Sequence, residues 1–225
     1  MRFVFDARSA NSSLVETIWH TKSEGTGSFI SLAESRWEMV VTRYEGKSTL
    51  TVRGPETKAR PAPVPANAEF FGIVFKLGTF MPHLPVKNFV DCEMNLPEAS
   101  SNSFWFHGSA WQFPEYHNAD VFIDRLLRGD LLVHEPVVDA AFQDRPLALS
   151  SRSVQRRFLQ ATGLTYKTIQ QIERAKQAAA LLELGVPILD VVFEAGYFDQ
   201  PHLTKSLKRF IGQTPAQLVP VEQPG

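Results

Sequence analysis

The sequence predicts an α+β chain, with a β-rich N-terminal domain over residues 1–135 followed by an all-α domain over residues 136–225. Three observations carry this. Apolar residues alternate with polar ones between residues 28 and 77. A helical segment beginning at Ser150 recurs 49 residues later. Composition changes near residue 145: all four Trp and 13 of the 17 Phe lie before it.

The β half shows the period of two that strands require. Trp37, Met39 and Val41 alternate with polar neighbours, as do Leu50 and Val52, then Phe71, Ile73, Phe75 and Leu77. The Pro-rich stretch Gly54 to Asn67 reads as a loop, and so does Met81 to Pro85. Several short strands separated by such punctuation give the pattern of a small sandwich or barrel. Asn118 is expected to cap a helix from Ala119 to Arg128, with Val121, Phe122, Leu126 and Leu127 on its apolar side and Gly129 as its stop.

The repeat aligns Ser150–Thr165 with Asp199–Thr214. Val154 falls on Leu203, Phe158 on Leu207, Ala161 on Phe210 and Gly163 on Gly212. Each copy reads as an amphipathic helix with Ser150 or Asp199 as N-cap and a glycine as stop. Opposite the first apolar stripe lie Arg152 and Arg156. Opposite the second lie Pro201 and Lys205, with Lys208 one turn further on, and Gln155, Gln200 and His202 flank these faces. Arg, Lys and Gln pair with base edges and phosphates in a DNA major groove. A solvated face would explain one such helix, but two matching faces at a fixed offset favour binding. Between the copies, Tyr166 to Leu184 is predicted to form a long helix with Ile169, Ile172, Ala175, Ala179 and Leu182 as its buried stripe, ended by Gly185. Pro187 starts a shorter helix that turns at Gly196.

Charge agrees with this division. The whole chain has a net charge of −1, but residues 1–144 carry −5 and residues 145–225 carry +4. No apolar run reaches the roughly 18 residues a membrane helix needs, and the N-terminus lacks a secretory pattern, so no membrane role and a cytoplasmic location are expected.

These residues, above all SRSVQRRFLQATGL and GYFDQPHLTKSLKRFIGQTP, resemble the DNA-binding domain of the AraC/XylS family of bacterial transcription regulators over residues 136–219. The resemblance implies seven helices, with two helix-turn-helix units joined by a long helix. It places Ser151, Arg152, Gln155 and Arg156 on the first recognition helix, and Gln200, His202 and Lys205 on the second. Double-stranded DNA is the implied partner. A small-molecule effector, a second copy of the chain and RNA polymerase are further candidates. Residues 10–95, with Phe71 to Gly78 following Gly54-Pro55, resemble the sensor-like N-terminal domain of one branch of these regulators.

The sequence departs from this pattern once. Pro146 stands where the second unit has Ala195, so the first supporting helix is expected to be short and its turn long. The second head would then supply more of the sequence discrimination, and Arg152, Arg156 and Arg157 would mainly meet phosphates.

No nucleophile–base pair, phosphate loop or paired-carboxylate motif stands out, so no enzyme activity and no cofactor are expected. The alternative is a cupin-like enzyme, or a non-sensing dimerisation module, carrying an accessory helical domain. His107, His117 and Glu115 lack the spacing of a cupin metal site, so no metal is expected. Cys92 is read as a buried structural cysteine, and Trp105 and Trp111 as core side chains, with an aromatic pocket as their other reading.

Overall fold

Side chains of a strand alternate between faces, and here one face closes a core over a single antiparallel sheet. The computed structural model describes residues 3–220. Its strands are β1 (Phe3–Arg8), β2 (Val15–Ser23), β3 (Gly27–Ser31), β4 (Glu38–Tyr44), β5 (Lys47–Arg53), β6 (Arg60–Val64), β7 (Glu69–Phe75), β8 (Thr79–Phe80), β9 (Glu93–Asn95), β10 (Glu98–Ser100), β11 (Ser103–Phe106), β12 (Ser109–Gln112) and β13 (Val133–His134). A 3-10 turn, η1, spans Val86–Asn88. The helices are α1 (Ala119–Arg128), α2 (Pro136–Phe142), α3 (Ser151–Thr162), α4 (Tyr166–Glu183), α5 (Ile188–Glu194), α6 (Gln200–Phe210) and α7 (Pro215–Leu218). The chain is thus α+β, with a β-rich first part and a helical second part.

Six strands form an open sheet in the order β1-β2-β7-β4-β5-β9, and β10, β11 and β12 form a separate meander. Trp37, Met39, Val41, Leu50, Val52, Phe71, Ile73 and Phe75 all enter the core, as their spacing predicts. The meander and α1 face them with Phe104, Trp111, Phe122, Ile123 and Leu126. Trp37 stacks on Phe75 at 4.0 Å, and its indole N–H donates to the Thr79 carbonyl at 2.6 Å. That bond satisfies a polar group that would otherwise be costly to bury.

Several sequence expectations need correction. The Pro-rich stretch Gly54 to Asn67 contains β6, which pairs with β3. Pro61 and Pro63 are tolerated there because the two-stranded ribbon asks little of their missing donors. Asn118 is the N-cap residue of α1, as expected, but its side chain makes no capping bond: its Oδ1 accepts the Glu115 N–H at 2.8 Å. Val121 on α1 points to solvent. Cys92 is exposed, because it sits in a turn held by its backbone, accepting from Gly54 and donating to Phe89. Trp105 is 49% exposed, because alternation along β11 sends Phe104 inward and its neighbour outward. Trp111 is buried, as expected.

The chain divides into two compact units. One comprises Met1–Ser28, Arg36–Pro55 and Pro63–Thr165; the other comprises Phe29–Ser35, Glu56–Ala62 and Tyr166–Gly225. The first therefore includes α2 and α3 as well as the sheet. There α3 packs on η1 and α2, and Gly163, at φ +72°, lies close enough that a Cβ would sit 3.0 Å from Val90 and 3.2 Å from Val86. The buried carboxylate of Glu135 accepts the Val137 N–H at the start of α2 and also takes the Arg157 guanidinium through two contacts of 2.9 Å. Arg157 is thus a strut between α3 and α2, not the phosphate contact its charge suggested.

In the second unit Ile169, Ile172, Ala175, Ala179 and Leu182 of α4 are all buried, as their helical spacing predicts. Residues 29–35 and 56–62 pack beside α4 and α6. The Ala33 N–H donates to the Phe210 carbonyl at 2.8 Å, the Ala59 N–H to the Arg209 carbonyl at 2.7 Å, and Lys176 pairs with Glu34 at 2.6 Å.

Asp120, in the first turn of α1, accepts the Asn11 N–H and pairs with Arg8 at 2.8 Å; the Asn11 bond chiefly holds its carboxyl below the usual range. A lowered folded-state pKa gives stability that is present above about pH 4 and is lost as pH falls through the lower folded value. Asp120→Asn should flatten the acid-side fall of the urea midpoint, and an unchanged slope would contradict this. Glu135→Ala removes a cap and a buried acceptor together, which should cost about 1–3 kcal/mol in denaturation and speed amide exchange across 136–142.

Candidate nucleic-acid interface

A helix that reads DNA must be held firmly on one side and left open on the other. In α6 the held side is Leu203, Ser206, Leu207 and Phe210, all buried. Asp199 accepts the His202 N–H at 2.7 Å and so caps the helix. The preceding turn is pinned from two directions. The Tyr197 hydroxyl is 2.9 Å from Ser206 Oγ, and Arg174 of α4 lies 4.4 Å over the Tyr197 ring while donating to the Gly196 carbonyl. Gly196 takes φ +68°, the left-handed conformation its place in the turn requires.

The open side carries the expected side chains. Gln200, His202, Lys205 and Lys208 are all exposed. At 100° per residue, His202, Lys205 and Lys208 fall within an arc of roughly 120°. His202 is partly committed, since its Nδ1 accepts the Phe198 N–H at 3.5 Å and its ring meets Tyr197 edge-on. Arg209 turns away, donating to the Thr57 carbonyl and lying over Phe210.

Helix α3 repeats this plan. Ser150 Oγ accepts the Ser153 N–H at 3.3 Å, and Phe158, Ala161 and Thr162 are buried. Ser151, Arg152, Gln155 and Arg156 are exposed. Among the described residues, Arg152, Arg156, Lys205 and Lys208 have no ion-pair partner. Four uncompensated cations on two helices give each open face a positive potential.

The supporting helices differ from expectation. Helices α2 and α5 have seven residues each, so the first is no shorter. It ends earlier in the repeat register, and the connection to α3 runs from 143 to 150, against 195 to 199 before α6. Asp144 takes φ +48° in the longer turn. Six helices lie between Pro136 and Leu218, not the seven the resemblance implies.

Sequence periodicity missed two features. Leu159 is 41% exposed and shares the face of Arg152 and Arg156. Leu189, Phe193 and Phe198 of the second pair are also exposed, Phe198 at 91%. Their spacing resembles that of core residues, and only the packed structure shows them outside. His107 lies against His83, whereas His117 lies beside Glu115. The described residues contain no group of three or more His, Cys, Asp or Glu side chains that could hold a metal. No described helix is long and apolar enough to cross a membrane.

A family of helix-turn-helix domains matches residues 145–219, about a third of the chain. No curated protein and no solved structure matches it. The matched segment runs from the turn before α3 to the end of α7, and so includes both open faces. Residues 145–219 thus carry a helix-turn-helix domain, which supports DNA binding and a part in transcription regulation.

Proposed function

We propose that the chain is a sequence-specific, effector-responsive transcription regulator that reads DNA with two heads, α2–α3 and α5–α6. The observation that carries this is the match between two capped helices whose buried stripes and open cationic faces correspond at a constant offset. Ser151, Arg152, Gln155 and Arg156 form the first reading surface, and Gln200, His202, Lys205 and Lys208 the second. Leu159 adds an apolar contact suited to a thymine methyl. Helix α4 has 18 residues, or roughly 27 Å, a length suited to reaching successive major grooves about 34 Å apart.

The proposed functional division is at 135/136, with residues 1–135 sensing or dimerising and residues 136–225 carrying the DNA-reading side chains, although residues 29–35 and 56–62 help to hold α6. This makes the protein a regulator and not an enzyme, acting in the cytoplasm on double-stranded DNA. A second copy of the chain and RNA polymerase are proposed further partners; the exposed Leu189 and Phe193 of α5 offer a surface for protein contact.

The second head discriminates more strongly. Its turn is short and braced by Arg174, Tyr197 and Ser206, whereas the first crosses an eight-residue connection containing Pro146. A less rigid head gives affinity through phosphates more readily than base selection.

The test uses the full chain on a sequence selected from random DNA, with every base pair of the site substituted in turn. Lys205→Ala and Arg156→Ala should each weaken binding, and a residue that reads a base edge should lose about 1–3 kcal/mol concentrated at one position. Costly positions should cluster under residues 199–210. Wild-type binding by both folded variants would overturn the reading face, and equal penalties under both heads would overturn the asymmetry.

A further inference from the structure

In the first unit a pocket of about 210 Å³ opens between the turn after β8 and the β11–β12 hairpin. Met81, Leu96 and Leu131 are its buried apolar lining, and Trp105 forms a wall. His83 and His107 close its rim, their rings 4.5 Å apart and tilted by 33°. They are the only titratable side chains lining it, and no carboxylate is among the lining residues.

Both imidazoles stand on tight turns. His107 and Gly108 take φ +47° and +73°, and Phe106 pairs with Ser109 across them, so the hairpin closes in two residues with left-handed backbone at both. Asn-Gly is the favoured pair for such a turn. A histidine there spends a turn position on an imidazole held at the pocket mouth. His83 lies in a turn closed by the Leu84 N–H donating to the Met81 carbonyl at 3.0 Å. Two imidazoles side by side can each present an N–H at the pocket mouth, and with no carboxylate in the lining they complement an oxyanion.

We propose that this pocket binds a small organic anion: a carboxylic acid with one aromatic ring or a short branched chain. Its carboxylate takes hydrogen bonds from His83 and His107, and its apolar body lies against Trp105, Met81 and Leu131. The volume is below the range of about 300–1,000 Å³ typical of drug-sized ligands, which limits the guest to a single ring.

The pocket is also placed to act on α3. The turn carrying Met81 and His83 runs into η1, on which α3 packs. Leu131 is four residues before Glu135, whose carboxylate holds Arg157 of α3. A guest that fixes both segments fixes both sides of the α3 seat. This second step rests on the DNA-binding reading; ligand binding itself does not.

The test is titration of the full-length protein, without DNA, with benzoate, phenylacetate and 3-methylbutanoate, followed by Trp105 fluorescence and calorimetry. At least one acid should bind, and benzyl alcohol, which keeps the ring and lacks the charge, should bind roughly tenfold more weakly than benzoate. His83→Gln and His107→Gln should each lose about tenfold for the acid and little for the alcohol. Trp105→Phe should abolish the fluorescence change while calorimetry still reports heat. Equal binding of acid and alcohol, no binding of any acid up to about 10 mM, or acid binding unaltered in both histidine variants would overturn the proposal. Binding of zinc alone, lost in both variants, would replace it with a metal site. Because no DNA is present, failure here is distinct from failure of the DNA-binding reading.

Discussion

The last carbonyls of α6 have no partner within the helix, and the two arms of the β3–β6 ribbon supply donors for them. The Ala33 N–H reaches Phe210 and the Ala59 N–H reaches Arg209. A helix end buried without donors would be costly, so these two bonds set where α6 stops and what must lie beside it. Gly212 follows at φ +79°, and a Cβ there would come within 2.8 Å of Ile30. Lys176 with Glu34 and Glu173 with Ser35 continue the same contact along α4. The compact unit that presents Lys205 and Lys208 therefore includes residues from the first quarter of the chain, and a fragment cut at residue 136 would lose those donors.

The other capped helix is held differently. Helix α3 rests on η1 and α2 and is tied to the start of α2 by Arg157 and Glu135. One buried carboxylate thus performs two tasks, capping α2 and orienting α3, and a charge that could have met DNA is consumed internally. Helix α6 is braced through Tyr197, Ser206 and Arg174 and keeps its cations outward. Two copies of one sequence pattern reach similar open faces by different supports.

Local pattern carried much of this. The period of two located the core residues of the main sheet, and the period of 3.6 located the buried stripe of α4. Ser150 and Asp199 serve as caps, as short polar residues before an apolar helical run should. All eight proposed reading side chains emerge exposed, though exposure alone assigns no base. Non-local pairing was not legible. Pro61 and Pro63 argue against a strand until a partner ribbon is present, and no periodicity links Ala33 or Ala59 to α6. Arg157 looked like its neighbours because Glu135 meets it only in the folded unit. Cys92 and Trp105 were misplaced because burial depends on which face a turn or strand presents, which residue type does not fix.

The central claim is that one chain grips DNA at two places, through α3 and through α6. Hydroxyl-radical footprinting of the full-length protein on its selected site tests this most directly. The account predicts two protected segments about one helical turn, or roughly 10 base pairs, apart. A single protected segment, with the other half of the site cleaved as in free DNA, would contradict it.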